Sequence, residues 1–106
     1  MVSHNGVTGL LGLAKKAGAT ASGTEGVRGL VRSGRSRLVL LACDCSQNAA
    51  KRVENCCSSY HAALIHTGLT MRELGAAIGS APCSAVAVSD KGLADAIKDK
   101  GAAIWQ

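Results

Sequence analysis

Two arginines four residues apart, Arg28 and Arg32, share one face of any helix that contains them, and Arg35 and Arg37 follow at once. Just upstream stands Gly23-Thr24-Glu25-Gly26, a stretch with little side-chain bulk, and before it Lys15 and Lys16. A helix beginning at such a stretch turns its first backbone N–H groups toward an anion, and nearby guanidinium groups can grip neighbouring phosphates. Glycine there lets a ligand come close to the backbone. The chemistry this pattern supports is the holding of a polyanion. The same residues also fit an ordinary glycine-rich corner with solubilising arginines, and spacing alone does not separate the two readings.

No other constellation in the chain carries a reaction. Gly6, Gly9 and Gly12 do not form G-x-G-x-x-G after a strand, and Thr24 stands where a phosphate loop beginning at Gly18 would need Lys. There is no G-x-S-x-G elbow. Cys43, Cys45, Cys56 and Cys57 could offer thiolates, but neither pair has the Cys-x2-Cys spacing that closes on one zinc ion. His61 and His66 flank a short apolar run and read as structural. Tyr60 and Trp105 are the only aromatics and are too scattered for a base-stacking platform. The expectation is therefore no enzyme, no cofactor and no metal, with a thiol or metal enzyme the least favoured reading.

With 106 residues, 47% of them hydrophobic and 18% charged, the chain suits one folded domain over 1–106 with a single aliphatic interior, since Phe is absent. The net charge of +5 is lopsided: residues 1–53 carry a net +6 and residues 54–106 a net −1. Such a gradient is a common footprint of a polyanion-binding face. No apolar run is long enough to span a bilayer, and the apolar stretch near the N-terminus lacks the basic flank and cleavage site of a signal peptide. A cytoplasmic protein without membrane contact is expected. The odd count of 5 cysteines then argues against a disulfide framework.

The elements that must position the basic patch can be read from periodicity and caps. Val7, Leu10, Leu11 and Ala14 form a helical stripe, with Ser3 or Asn5 as cap and Gly18 as terminator. A short β-prone piece at Ala19–Ser22 precedes a second helix holding Val27, Leu30 and Val31, capped by Ser22 or Thr24 and stopped at Gly34. Arg37–Asp44 is a continuous apolar run, the mark of a strand covered on both faces. Ser46 caps a third helix with Ala49, Ala50, Val53 and Cys57 inward, and Ala62–Ile65 reads as another strand. Thr70 and Glu73 make a capping box, with Leu69 and Leu74 as its hydrophobic staple. Ser84–Val88 is the last strand, and Asp90 caps a final helix carrying Leu93, Ala94 and Ile97. Alternation of this kind predicts an α/β fold, a three-layer α/β/α sandwich with a four-stranded mixed sheet.

The stretches LLGLAKKAG, SGTEGVRGLVRSGRSRLVLLACDCSQN, TMRELGAAIG and SAVAVSD together resemble the kink-turn-binding ribosomal protein superfamily, in particular its small bacterial YlxQ-like members. The likeness runs in order through nearly the whole chain. It implies binding of a sharply bent RNA with tandem sheared G·A pairs, ribosomal or ribosome-associated. Carried over by position, Gly23, Thr24, Glu25 and Gly26 fall on the helix-start motif, Arg28 and Arg32 on the exposed part of that helix, and Asp44 at the strand end. Ser80, Ala81, Pro82 and Cys83 occupy the apolar loop that covers a flipped-out base.

The strong binders of that superfamily carry Gly-x-Asn-Glu and a later Lys where this chain has Glu25, Gly26 and Gly29. Two base-reading groups and one cation are thereby replaced, while the arginines remain. The expected function is non-enzymatic binding of structured, kink-turn-like RNA by a monomer, with Lys15, Lys16, Arg28, Arg32, Arg35 and Arg37 neutralising phosphates and the ribosome or translation factors as further partners. The alternative is a protein-interaction module that keeps the fold without specific RNA contacts.

Overall fold

The computed structural model describes residues 5–105. Five helices and four strands alternate: α1 (Asn5–Lys16), β1 (Thr20–Ser22), α2 (Gly23–Arg32), β2 (Leu38–Leu41), α3 (Gln47–Ser59), β3 (Leu64–His66), α4 (Met71–Ala77), β4 (Ala85–Val88) and α5 (Lys91–Trp105). The strands form one mixed sheet in the order β1-β4-β2-β3. β4 runs antiparallel to both β1 and β2, and β2 runs parallel to β3.

Every residue of β2 and β4 is buried, as a strand covered on two faces requires. The side chains alternate between two cores. Leu38, Leu40, Val86 and Val88 pack with Val7, Leu11 and Ala14 of α1, Leu74 of α4 and Ala94 and Ile97 of α5. Val39, Leu41, Ala85 and Ala87 pack on the opposite face with Val27 and Val31 of α2 and Val53, Cys56 and Cys57 of α3. The expected α/β/α sandwich is the fold. The apolar run read as Arg37–Asp44 pairs only over Leu38–Leu41, because Cys43 and Asp44 turn away after the Ala42 N–H reaches the Ser84 carbonyl.

The local signals act as read, with one exception. Ser46 accepts from the Ala49 N–H, Asp90 from the Leu93 N–H, and Thr70 and Glu73 complete both halves of the capping box. Leu69 and Leu74, the staple pair, are both fully buried in the first core. The exception is α2. Ser22 occupies its cap position but makes no side-chain capping bond, and the Thr24 hydroxyl is turned instead to Ser84, 2.8 Å away. Ser3, one of the caps expected for α1, lies outside the described residues.

Gly75 shows why a glycine interrupts the short α4. A Cβ at that position would lie 2.7 Å from the Ala81 carbonyl carbon and 3.0 Å from Pro82 Cα, so the helix can touch the 80–83 loop only without a side chain. Gly75→Ala is therefore expected to destabilise the protein by about 1–3 kcal/mol, the usual cost of overpacking, despite alanine's better helix propensity; urea denaturation with an unchanged midpoint would refute the close approach.

Burial pushes the Cys57 thiol, foremost among the cysteines, up to about 11, with neighbouring Cys56 adding to the effect. A thiol that stays protonated in the folded chain but ionises in the unfolded one leaves stability intact below its ordinary value of 9.0. Stability is then lost as pH rises from there toward 11. Denaturation midpoints should fall over that window and fall less in Cys57→Ala, a comparison that isolates the thiol.

Candidate nucleic-acid interface

β1 delivers the chain directly into α2, and the turn between them is made by Gly23, whose φ of +80° is the left-handed conformation that glycine tolerates best. No atom lies within 4 Å of where its Cβ would be, so the requirement is conformational and the surface outside is open. With Ser22 not capping, the first turn of α2 receives no help from the residue that ordinarily supplies it.

The loop that follows α4 meets this turn. Because β4 lies between β1 and β2, its leading residues Cys83 and Ser84 arrive beside the ends of both neighbours. The Thr24–Ser84 hydroxyl contact ties α2 to the loop. Cys83 is 8% exposed. Burial raises its thiol above the ordinary range, against the opposing pull of hydrogen bonds with the Gly23 backbone and the Ser80 side chain. Ser80, Ala81 and Pro82 stay exposed around it, and the Ser80 hydroxyl donates to the Ala81 carbonyl at 3.0 Å.

Asp44 lies on the same end of the sheet, exposed, with Oδ1 accepting from the Met71 N–H at 2.7 Å. Its carboxylate thus also anchors the start of α4, whose far end supports the 80–83 loop through Gly75. The structure brings Gly23, Thr24, Asp44, Ala81, Pro82 and Cys83 to one end of the sandwich, with Glu25 and Gly26 on the first turn above them.

The basic residues divide. Further along α2, away from that end, Arg32 is exposed, while Arg28 is half-buried with its Nε–H out of solvent. The Arg37 N–H donates to the Val88 carbonyl, and Val88 pairs with Thr20 at the far end of the sheet. Arg35 and Arg37, in the α2–β2 connection, and Lys15 and Lys16, on the last turn of α1, are therefore separated from Gly23 and Cys83 by the length of α2, on the order of 15 Å. All four are exposed.

Glu25 is less free than its position suggests. Its carboxylate accepts from the Arg28 guanidinium at 2.9 Å and pairs with Arg52 of α3 as well. Nothing local in the sequence marks Arg52 as a partner of Glu25, because the two lie 27 positions apart.

Burial also pushes the Cys45 thiol up. Cysteines with raised thiols are poor nucleophiles at neutral pH, and among the described residues no group of three or more His, Cys, Asp and Glu side chains is arranged to hold a metal. Among the described residues no helix is long and apolar enough to cross a membrane.

The chain is similar to known proteins. A family model described as the ribosomal protein L7Ae/L30e/S12e/Gadd45 family matches residues 6–98. The RNA-binding protein YlxQ of Bacillus subtilis (strain 168) is 39% identical over 87 residues, covering 81% of this chain and 85% of that protein. A solved structure of a protein of unknown function from Bacillus halodurans superposes with a TM-score of 0.82 at 30% identity, covering 89% of this chain and 94% of that one. The 15.5kD RNA binding protein of Giardia lamblia shares the fold, with a TM-score of 0.71 at 16% identity over 92% of this chain and 82% of its own. The chain belongs to the ribosomal protein L7Ae/L30e/S12e/Gadd45 family.

Proposed function

We propose that the chain is a cytoplasmic, monomeric, non-enzymatic RNA-binding domain spanning 1–106 that holds a sharply bent, kink-turn-like RNA, ribosomal or ribosome-associated. The observation that carries this reading is the start of α2. It lacks the side-chain cap found at α3, α4 and α5, it is opened by a left-handed glycine, and the apolar 80–83 loop faces it. Backbone donors left in this state suit a phosphate or a base edge, and an apolar loop beside them suits an unstacked base. Membership of a family of ribosomal and RNA-binding proteins points the same way.

The roles follow from position. Gly23, Thr24 and Gly26 present backbone to the bend, while Ala81, Pro82 and Cys83 cover the flipped base. Asp44 braces the floor between them. Arg28 and Arg32 meet the phosphates of the arm that runs along α2. Lys15, Lys16, Arg35 and Arg37 reach only an RNA whose arm continues past Arg32. Glu25 replaces an amide that could donate to a base, so discrimination among bent RNAs is weaker than affinity for them; each bidentate base contact forgone is worth about 1–3 kcal/mol.

A bent RNA with an arm long enough to pass Arg32 should give a log–log salt slope of about −3 to −5, corresponding to roughly four to six phosphates, and shortening that arm should reduce the slope by about 0.9 per phosphate removed. Filter binding across a salt series reads this directly. A flat response, or equal affinity for a straight duplex of the same length, would contradict the reading.

Gly26 offers a cleaner separation of fold from function. It is exposed, its φ is not left-handed, and the nearest atom to a Cβ would be the Ala21 Cβ at 3.9 Å. Gly26→Leu should leave stability unchanged or raise it by up to about 1 kcal/mol through helix propensity. The same leucine should weaken the bent RNA by about ten-fold, the equivalent of one displaced contact. Thermal denaturation and a binding titration on the same preparation test both halves.

A further inference from the structure

Between α2 and α3 lies a groove that shares Arg28 and Arg32 with the roles above but whose α3 wall those roles leave unused. It has a volume of about 300 Å3 and is lined by Arg28, Arg32, Arg52, Asn55, Cys56, Ser59 and Tyr60. α2 and α3 run in the same direction here. Glu25 pairs with Arg52 near the entrance, and the Cys56 thiol reaches the Arg28 carbonyl at 3.9 Å further along. Arg32, Ser59 and Tyr60 then close the far end.

The lining has the composition of a single-strand nucleic-acid track. Three guanidinium groups face one carboxylate, so the groove keeps a net positive charge. Arg28 also has an Nε–H that is buried with no acceptor. Asn55 and Ser59 add neutral hydrogen-bonding groups. Tyr60 caps α3 and is 51% exposed. The next residue, His61, takes a left-handed φ of 54° and turns the chain away, which leaves the phenol ring standing at the groove's end. Positive groups along a groove that ends in an exposed aromatic ring are how single strands are held: phosphates lie on the cations and a base stacks on the ring.

We infer that this groove binds a single-stranded segment of RNA leaving the bend, with its phosphates on Arg28, Arg32 and Arg52 and one base stacked on Tyr60. The inference rests on the RNA reading above for the identity of the polyanion. Glu25 then holds the place of a phosphate in the free protein, keeping Arg28 and Arg52 together until the strand displaces it. An acidic protein segment is the competing occupant; it would use the arginines but gain little from a tyrosine ring at the far end.

The probe is hexaadenylate, read by NMR. Tyr60 is the only tyrosine and the chain has no Phe, so its ring protons are assigned without ambiguity. Hexaadenylate should move them upfield, as stacking under a purine does. Tyr60→Leu should weaken hexaadenylate by about five-fold or more while Tyr60→Phe does not. Arg52→Ala should lower the salt slope by about 0.7, the value for one phosphate of a single strand. Glu25→Gln should tighten binding, a direction that a merely structural tie would not give. Tyr60, Arg52 and Glu25 are exposed, so the backbone amide spectrum of each variant serves as the folding control. Unmoved Tyr60 resonances at saturating hexaadenylate, or an equal shift with hexaglutamate, would overturn the inference. Binding of a bent RNA without single-stranded extensions, and its loss in Gly26→Leu, is scored separately. The bend reading can therefore fail while the groove stands, and the reverse.

Discussion

The placement of β4 between β1 and β2 is the constraint on which everything else in the molecule depends. β4 runs against both neighbours, so its first residues arrive where β1 and β2 end. Three separate pieces of chain are forced to share one end of the sandwich: the Ser22–Gly23 turn into α2, the Ala42–Asp44 exit from β2, and the 80–83 loop. Had β4 been added at the β3 edge, the 80–83 loop would lie away from the first turn of α2. The hydroxyl contact between Thr24 and Ser84 is a consequence of that strand order, and so is the hydrogen bond between the Gly23 backbone and Cys83. Complete burial of β2 and β4 makes the arrangement rigid, since both faces of the two central strands are packed by helices.

This constraint also explains which parts of the protein were legible in the sequence. Helices and strands declare themselves through local patterns. The stripe of Val7, Leu11 and Ala14, the unbroken run at Leu38–Leu41 and the Thr70–Glu73 box each concern residues within a few positions of one another. The order of strands leaves no such local trace, because Leu40 would be equally buried beside either neighbour. What depends on order was therefore invisible: the Thr24–Ser84 contact, the pairing of Glu25 with Arg52, and the use of Asp44 to anchor Met71. Gly75 did leave a mark. A glycine inside a short helix calls for a reason such as the close approach of another backbone, and here that backbone is Ala81–Pro82. The basic residues, adjacent in the sequence as Arg28, Arg32, Arg35 and Arg37, are spread by the length of α2 along the side of the molecule. Chain proximity here overstated proximity in space.

Electrostatics at α2 involve competing terms whose balance sets what the surface can do. Glu25 sits in the first helical turn, where a carboxylate favours the positive end of the helix dipole. Here that carboxylate is also shared by two arginines. Exposed pairs of this kind contribute at most about 1 kcal/mol each to stability and weaken with salt. The fold consequently gains little from them. Their larger effect is on the ligand, since a negative group at the entrance reduces the pull that the guanidinium groups exert on a phosphate. A binding surface built this way favours ligands that can displace the carboxylate and occupy both arginines together.

Stability and recognition are in tension at the α2 start, and the structure places the cost where the core can absorb it. Leaving out a capping side chain forgoes about 1 kcal/mol, and Gly26 within the first turn forgoes a comparable amount relative to alanine. Val27 and Val31 offset this by anchoring the inward face of the same helix, buried to 1% and 2% exposure against Ala85 and Ala87. The small side chains of β4 matter at this point. They let α2 lie close to the sheet, so its position is held by packing below while its N-terminus stays open above. An α2 held by its own cap would be the more stable helix, but it would have one backbone donor fewer to offer. One held only by its first turn would lose its place when a ligand pulled on it. The combination found here commits the Gly23 N–H to Cys83, leaves the first turn without a side-chain cap and keeps the helix fixed.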